Sequence, residues 1–174
     1  MSSSTSGIPG EHPEERRRER AVIRSGALTL FQRQAFTPIL DVIRSELRIA
    51  AAGITIIHED SAFVIAASGI PVGVYDRSVS FCAHAILETE DLMVVPDTRE
   101  DDRFRDNAAV DDQSGVRFFA AFQLLDDDKM PLGAIWVFDT EPRHGLTNSE
   151  SASLRRISHA VIAKMRRHAV VTSD

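Results

Sequence analysis

Residues 117–139 read RFFAAFQLLDDDKMPLGAIWVFD. Two apolar runs, Phe118 to Leu125 and Leu132 to Phe138, flank the polar segment Asp126-Asp127-Asp128-Lys129-Met130-Pro131. Short runs rich in aromatic and β-branched residues around a turn-forming connection predict an antiparallel hairpin. Downstream, Thr147-x-x-Glu150 makes a capping box, and Leu154, Ile157, Val161, Ile162 and Met165 recur at helical spacing. A hairpin followed by an amphipathic helix is the pattern from which the rest of the fold is read.

Upstream lie three more strand-like runs. Leu92 to Val95 ends at Pro96-Asp97, while Ile54 to His58 and Phe63 to Ala67 flank the polar tip His58-Glu59-Asp60-Ser61. Between the runs stand two long excursions. One carries Gly69, Pro71 and Gly73 and then a short helix from Ser80 through Phe81, Cys82, Ala85 and Ile86; the other, Thr98 to Val116, is polar and acidic. Connections of that length inside a compact domain are usually functional.

Further upstream, Thr37 and Pro38 start a helix with Ile39, Leu40, Ile43 and Leu47 on one face, and Gly53 reads as its exit. Glu14 to about Phe31 reads as another helix, with Val22, Ile23, Ala27, Leu30 and Phe31 as a weak apolar stripe and Gly26 as a weak point within it. Its arginines 16, 17, 18 and 20 alternate with Glu14, Glu15 and Glu19, the pattern of a solvated helix; a DNA-contacting arm is the alternative. The element order predicts an α+β fold. It has a central antiparallel sheet of five or six strands, terminal helices on one face, and helix and loop excursions covering the other.

Length and composition bound the function. The 174 residues, 43% hydrophobic and 26% charged, suit one domain over residues 14–170 behind a disordered N-terminal tail, residues 1–13. A net charge of −6 argues against nucleic acid and anionic membranes as partners. No apolar run approaches a membrane span, and the N-terminus lacks the apolar core of a secretory signal, so a cytoplasmic location is expected.

Several ordered motifs resemble one family. Ser80-Phe81-Cys82-Ala83-His84-Ala85-Ile86, then Val95-Pro96-Asp97 with Asp101-x-Arg103-Phe104 and Asn107, are similar to segments of the GAF domains of bacterial sensory proteins. So are Arg117-Phe118-Phe119-Ala120 and Leu132 to Asp139, with Pro142-Arg143 after them; the match covers about residues 28–168. The resemblance implies a stand-alone sensory or regulatory domain in signal transduction, with a small-molecule pocket on the sheet face away from the terminal helices. It also implies an unidentified small molecule as ligand, a homodimer through those helices, and a histidine kinase or cyclic-di-GMP enzyme as partner in trans. Phe119-Ala120-Ala121-Phe122-Gln123 stands where relatives often carry Tyr-Ala-Gly-x-Pro, which supports the alternative of a docking or dimerisation module without ligand.

The pocket candidates are Phe81, Cys82, His84, Asp97, Arg103, Phe104, Arg117, Phe119 and Trp136. Cys82 and His84 stand two apart on a helix and so cannot act on one atom; Cys82 reads as a small buried hydrophobe. His84 reads as a donor to a backbone carbonyl or to a ligand. Asp97 and Arg103 read as a lid-fixing ion pair or as ligand contacts, and Arg117 shares that ambiguity. The other histidines lack the spacing of a metal site, and no cofactor is identified. Free methionine-R-sulfoxide reductases resemble this family too, but their chemistry relies on several cysteines. With Cys82 alone, the chain is expected not to be an enzyme.

Overall fold

The computed structural model describes residues 7–31, 34–111 and 115–171, without the side chains of residues 170 and 171. Residues 1–6 of the expected tail lie outside them. The described elements are α1 (Glu15–Ser25), α2 (Thr37–Leu47), β1 (Ala51–His58), β2 (Ser61–Ser68), β3 (Gly73–Asp76), α3 (Phe81–Ala85), β4 (Leu92–Val95), β5 (Phe118–Leu125), β6 (Pro131–Asp139) and α4 (Asn148–Val171). The six strands form one antiparallel sheet in the order β3-β2-β1-β6-β5-β4. This is the α+β architecture expected, with six strands.

Alternation along the strands sends side chains to two separate cores. Phe118, Ala120, Phe122 and Leu124 of β5, with Ile135 and Val137 of β6, meet α1, α2 and α4 on one face. Phe119, Ala121, Ala134 and Trp136 point the other way, toward α3 and the excursions. The central strands β1 and β6 are buried on both faces, which explains their nearly continuous apolar sequences. Plain alternation keeps Ile54 and Ile56 on the helical side and turns Thr55 to the other, while the register slips beside them so that Ile65 is the extra, bulged residue of β2.

Four expectations need correction. Gly53 does not end a helix: α2 stops at Leu47 with Arg48 left-handed at φ 51, and Gly53 lies inside β1 opposite Trp136. A Cβ there would sit 2.2 Å from Trp136 Cζ2, so the glycine makes room for the indole. The helix from Glu14 ends at Ser25, where Gly26 turns left-handed and a 3-10 turn, Ala27–Leu30, follows. The stretch around Gly73, read as irregular, contains the edge strand β3.

The fourth concerns the arginine run. Arg18 is fully buried, not solvated. Its Nη1 donates to the carbonyls of Ile57 (2.7 Å) and Pro131 (3.3 Å), just past the last β1–β6 pair, Ile56–Gly133. Its Nε and Nη2 donate to Glu15, and Nη2 also to Glu19 at 2.6 Å. Glu15 in turn accepts from Arg77 (2.6 Å), and Glu19 contacts His58 and the Glu59 amide. A charged cluster thus bolts α1 to the end of the sheet.

The capping box forms as expected: the Glu150 amide donates to Thr147 Oγ1 at 3.1 Å, and the Thr147 amide to Glu150 Oε2 at 2.8 Å. Ile23 on α1 and Val42 on α2 are exposed, whereas among the described residues α4 exposes no large apolar side chain. No helix among the described residues is long and apolar enough to cross a membrane.

Candidate functional site

The two excursions interlock over the sheet face opposite the terminal helices. Phe104 is fully buried and brings its ring to 4.4 Å from that of Phe81 on α3. Asn107 Nδ2 donates to the Val79 carbonyl at 2.9 Å, tying the second excursion to the first. Thr98 pins the return limb, its Oγ1 donating to the Val116 carbonyl at 2.6 Å. Arg117 adds a brace from Nη1 to the Val110 carbonyl at 2.5 Å.

Between this roof and the sheet lies a cavity of about 350 Å³. Its floor is Trp136, whose Nε1 donates to Thr55 Oγ1 at 2.8 Å. Phe138 lies parallel to Trp136, ring centroids 5.7 Å apart and planes within 9°, so the two rings stack with an offset. Phe119 continues the stack, and Phe81 meets it edge-on at 5.0 Å. Cys82 is buried beside Thr55; burial pushes its thiol up to about 12, and a hydrogen bond to Thr55 opposes this. A nucleophilic thiolate is therefore not what this wall offers. Among the described residues no charged side chain lines the cavity; its polar groups are those of Thr55, Tyr75, Ser80 and Asn107.

Of the nine candidates, Phe81, Cys82, Phe119 and Trp136 line the cavity. Phe104 stands behind Phe81. His84 points to the outside of α3, where its ring meets Phe104 at 5.0 Å and Nε2 donates to the Gly7 carbonyl at 3.3 Å. Burial lowers its basicity, against that hydrogen bond. Arg117 braces the loop rather than facing the cavity. The pairing foreseen between Asp97 and Arg103 is not made, because each has a closer partner two residues away. Asp97 is forked by Arg99 (3.0 and 2.8 Å), and Arg103 forks Asp101 (3.0 and 2.7 Å) and reaches Glu88 at 2.6 Å. These hydrogen bonds hold Asp97 and Asp101 below the usual carboxylate range. Both arginines are therefore committed within the roof.

Thr55, Tyr75, Ser80 and Phe138 were missed. Phe138 was within reach, since period two places it on the face of Trp136, and period two likewise turns Thr55 away from the face of Ile54 and Ile56. A second hollow, about 320 Å³ between α4 and the β5–β6 turn, is lined largely by charged and polar side chains, with Arg166 paired to Asp127 at 2.6 Å across it. Among the described residues no three His, Cys, Asp or Glu side chains are placed to hold a metal.

A six-stranded antiparallel sheet with terminal helices on one face and helix and loop excursions on the other is an α+β fold of the GAF class, and the chain has the GAF-domain fold. It superposes on the GAF domain of a phosphoenolpyruvate-protein phosphotransferase from Coxiella burnetii with a TM-score of 0.66 at 13% identity, covering 90% of this chain and 95% of that one. A type II free methionine-R-sulfoxide reductase from Thermoplasma acidophilum shares the fold, with a TM-score of 0.60 at 14% identity over 79% of this chain and 91% of that one. In sequence, the chain is 32% identical over 155 residues to a cyclic di-GMP phosphodiesterase of Pseudomonas aeruginosa. That match spans 88% of this chain but only 26% of the relative. No family model matches. The expectation that the chain is not an enzyme is overturned by these relatives: one is a phosphodiesterase, and another, with the same fold, a reductase.

Proposed function

We propose that this domain is a sensory unit of cyclic di-GMP signalling, acting in the cytoplasm, that binds a small molecule under α3. The observation that carries the reading is the apolar cavity of about 350 Å³, open at one side, beneath two interlocked excursions. Sites of roughly 300–1,000 Å³ with an apolar lining and few polar groups are what small ligands occupy. The cyclic di-GMP phosphodiesterase relative supports the signalling context. Exposed Ile23 and Val42 support pairing of two copies through α1 and α2, and a strict monomer in sedimentation at micromolar concentration would remove that part.

Native mass spectrometry of the chain after exposure to a cellular small-molecule extract tests the sensory reading. The expected result is a stoichiometric adduct that is lost in Val79→Phe, a change at a half-exposed residue of the cavity mouth. No adduct, with a melting temperature unmoved by any extract fraction, sinks the reading. Hydrolysis of cyclic di-GMP or reduction of methionine sulfoxide by the chain alone would move it from sensing to catalysis, a second reading that the two enzyme relatives favour.

A further inference from the structure

The cavity selects by charge and shape. Its size lies at the low end of the range for small-molecule sites, which suits a molecule of one or two rings. The Trp136 and Phe138 rings lie parallel and Phe119 is within 21° of the indole plane, so a planar aromatic molecule finds near-parallel rings to pack against. Among the described residues nothing charged lines the space, and a buried ion without a partner is strongly disfavoured. The raised Cys82 thiol reports the same intolerance of charge.

The polar atoms divide into committed and free ones. Thr55 Oγ1 already accepts from Trp136. Asn107 donates to the Val79 carbonyl and accepts from the Ala109 amide at 2.9 Å. Ser80 caps nothing with its side chain, although it stands at the start of α3. Its hydroxyl and that of Tyr75 border the cavity with no hydrogen-bond partner among the described residues. The hydroxyls of Ser80 and of the half-exposed Tyr75 are therefore the polar groups with which a ligand in this apolar slot can hydrogen-bond.

We propose that the pocket takes an uncharged, planar aromatic molecule of one or two rings, stacked on Trp136 and Phe138, with one hydrogen-bonding group directed to Ser80 and Tyr75. The inference rests on the sensory reading above and names the class of molecule sensed.

Calorimetric titration with four probes tests it: indole, naphthalene, indole-3-acetate and cyclic AMP. Indole and naphthalene should bind, with both anions weaker by at least about a hundredfold. Ser80→Ala should weaken indole by about two- to tenfold, the worth of one neutral hydrogen bond, and leave naphthalene unchanged. Val79→Phe should abolish both. Binding of indole-3-acetate or cyclic AMP as tight as that of indole, lost in Val79→Phe, overturns the inference while sensing stands. Equal effects of Ser80→Ala on indole and naphthalene overturn the assigned polar end. Binding of none of the four overturns the inference, and the extract experiment then decides the sensory reading separately.

Discussion

Replacing Arg18 by methionine keeps the apolar stem and deletes the guanidinium. The side chain is fully buried and donates five hydrogen bonds, to Ile57, Pro131, Glu15 twice and Glu19. Glu15 keeps Arg77, and Glu19 keeps His58 and the Glu59 amide, so neither carboxylate is left bare. Breaking a buried pair outright costs about 3–5 kcal/mol, which is therefore an upper bound here. The two carbonyls lose their donor, at about 1–3 kcal/mol each, with the longer Pro131 contact at the low end. The expected loss is about 3 kcal/mol, or a melting point lower by about 6–12 °C for a domain of this size. The acid limb adds a second signature. Burial alone would raise the Glu15 carboxyl, but hydrogen bonds from Arg18 and Arg77 hold it well below the usual glutamate range. A depressed carboxyl contributes stability above the unfolded value, about 4.3, that is lost as pH falls through the folded one. Urea titrations of Arg18→Met from neutral pH downward should show both the lower plateau and a shallower decline below about pH 4.3. A variant within about 0.5 kcal/mol of wild type, or one with an unchanged acid slope, would refute this account of the cluster.

Two other outcomes follow from the pocket. The Cys82 thiol, pushed up to about 12, contributes stability below the unfolded thiol value, about 8.5, that is lost as pH rises from there. At pH 8 it should therefore react with iodoacetamide only as fast as the protein opens, and rapid labelling of the native chain would contradict its placement. Gly53→Ala sets a Cβ 2.2 Å from Trp136 and should cost about 1–3 kcal/mol through overpacking, with a weakened near-ultraviolet dichroism from the displaced indole. An unchanged spectrum and stability would mean that the indole does not lie over that glycine.

Where local pattern and tertiary role coincide, the sequence was enough. β5, β6 and the capping box of α4 follow from runs whose partners lie close along the chain. β4 follows because its apolar run ends in Pro-Asp. β3 escaped because an edge strand with Val74, Tyr75 and Asp76 exposed shows no alternation of burial. Gly53 was misread because the reason for it, the Trp136 ring, lies on another strand. Arg18 and its neighbours carry the same i,i+3 and i,i+4 signature whether they face water or the end of a sheet. In the site, the four cavity candidates lie on α3 and on the inward face of the hairpin, where period and motif agree. Asp97 and Arg103 were misassigned because an Asp-x-Arg step satisfies itself, which spacing alone does not reveal.

The chain contains one tryptophan and one tyrosine, and both border the same cavity: Trp136 at the floor, Tyr75 half-exposed at the mouth. Near-ultraviolet light is therefore absorbed and re-emitted almost wholly at this spot. Tyr75 can hand its excitation to the indole across the gap, and the indole's emission colour follows how wet or dry its surroundings are. Occupancy of the pocket is thus written into the protein's own luminescence, without dye or label, and any substitution that leaves these two rings in place keeps that signal.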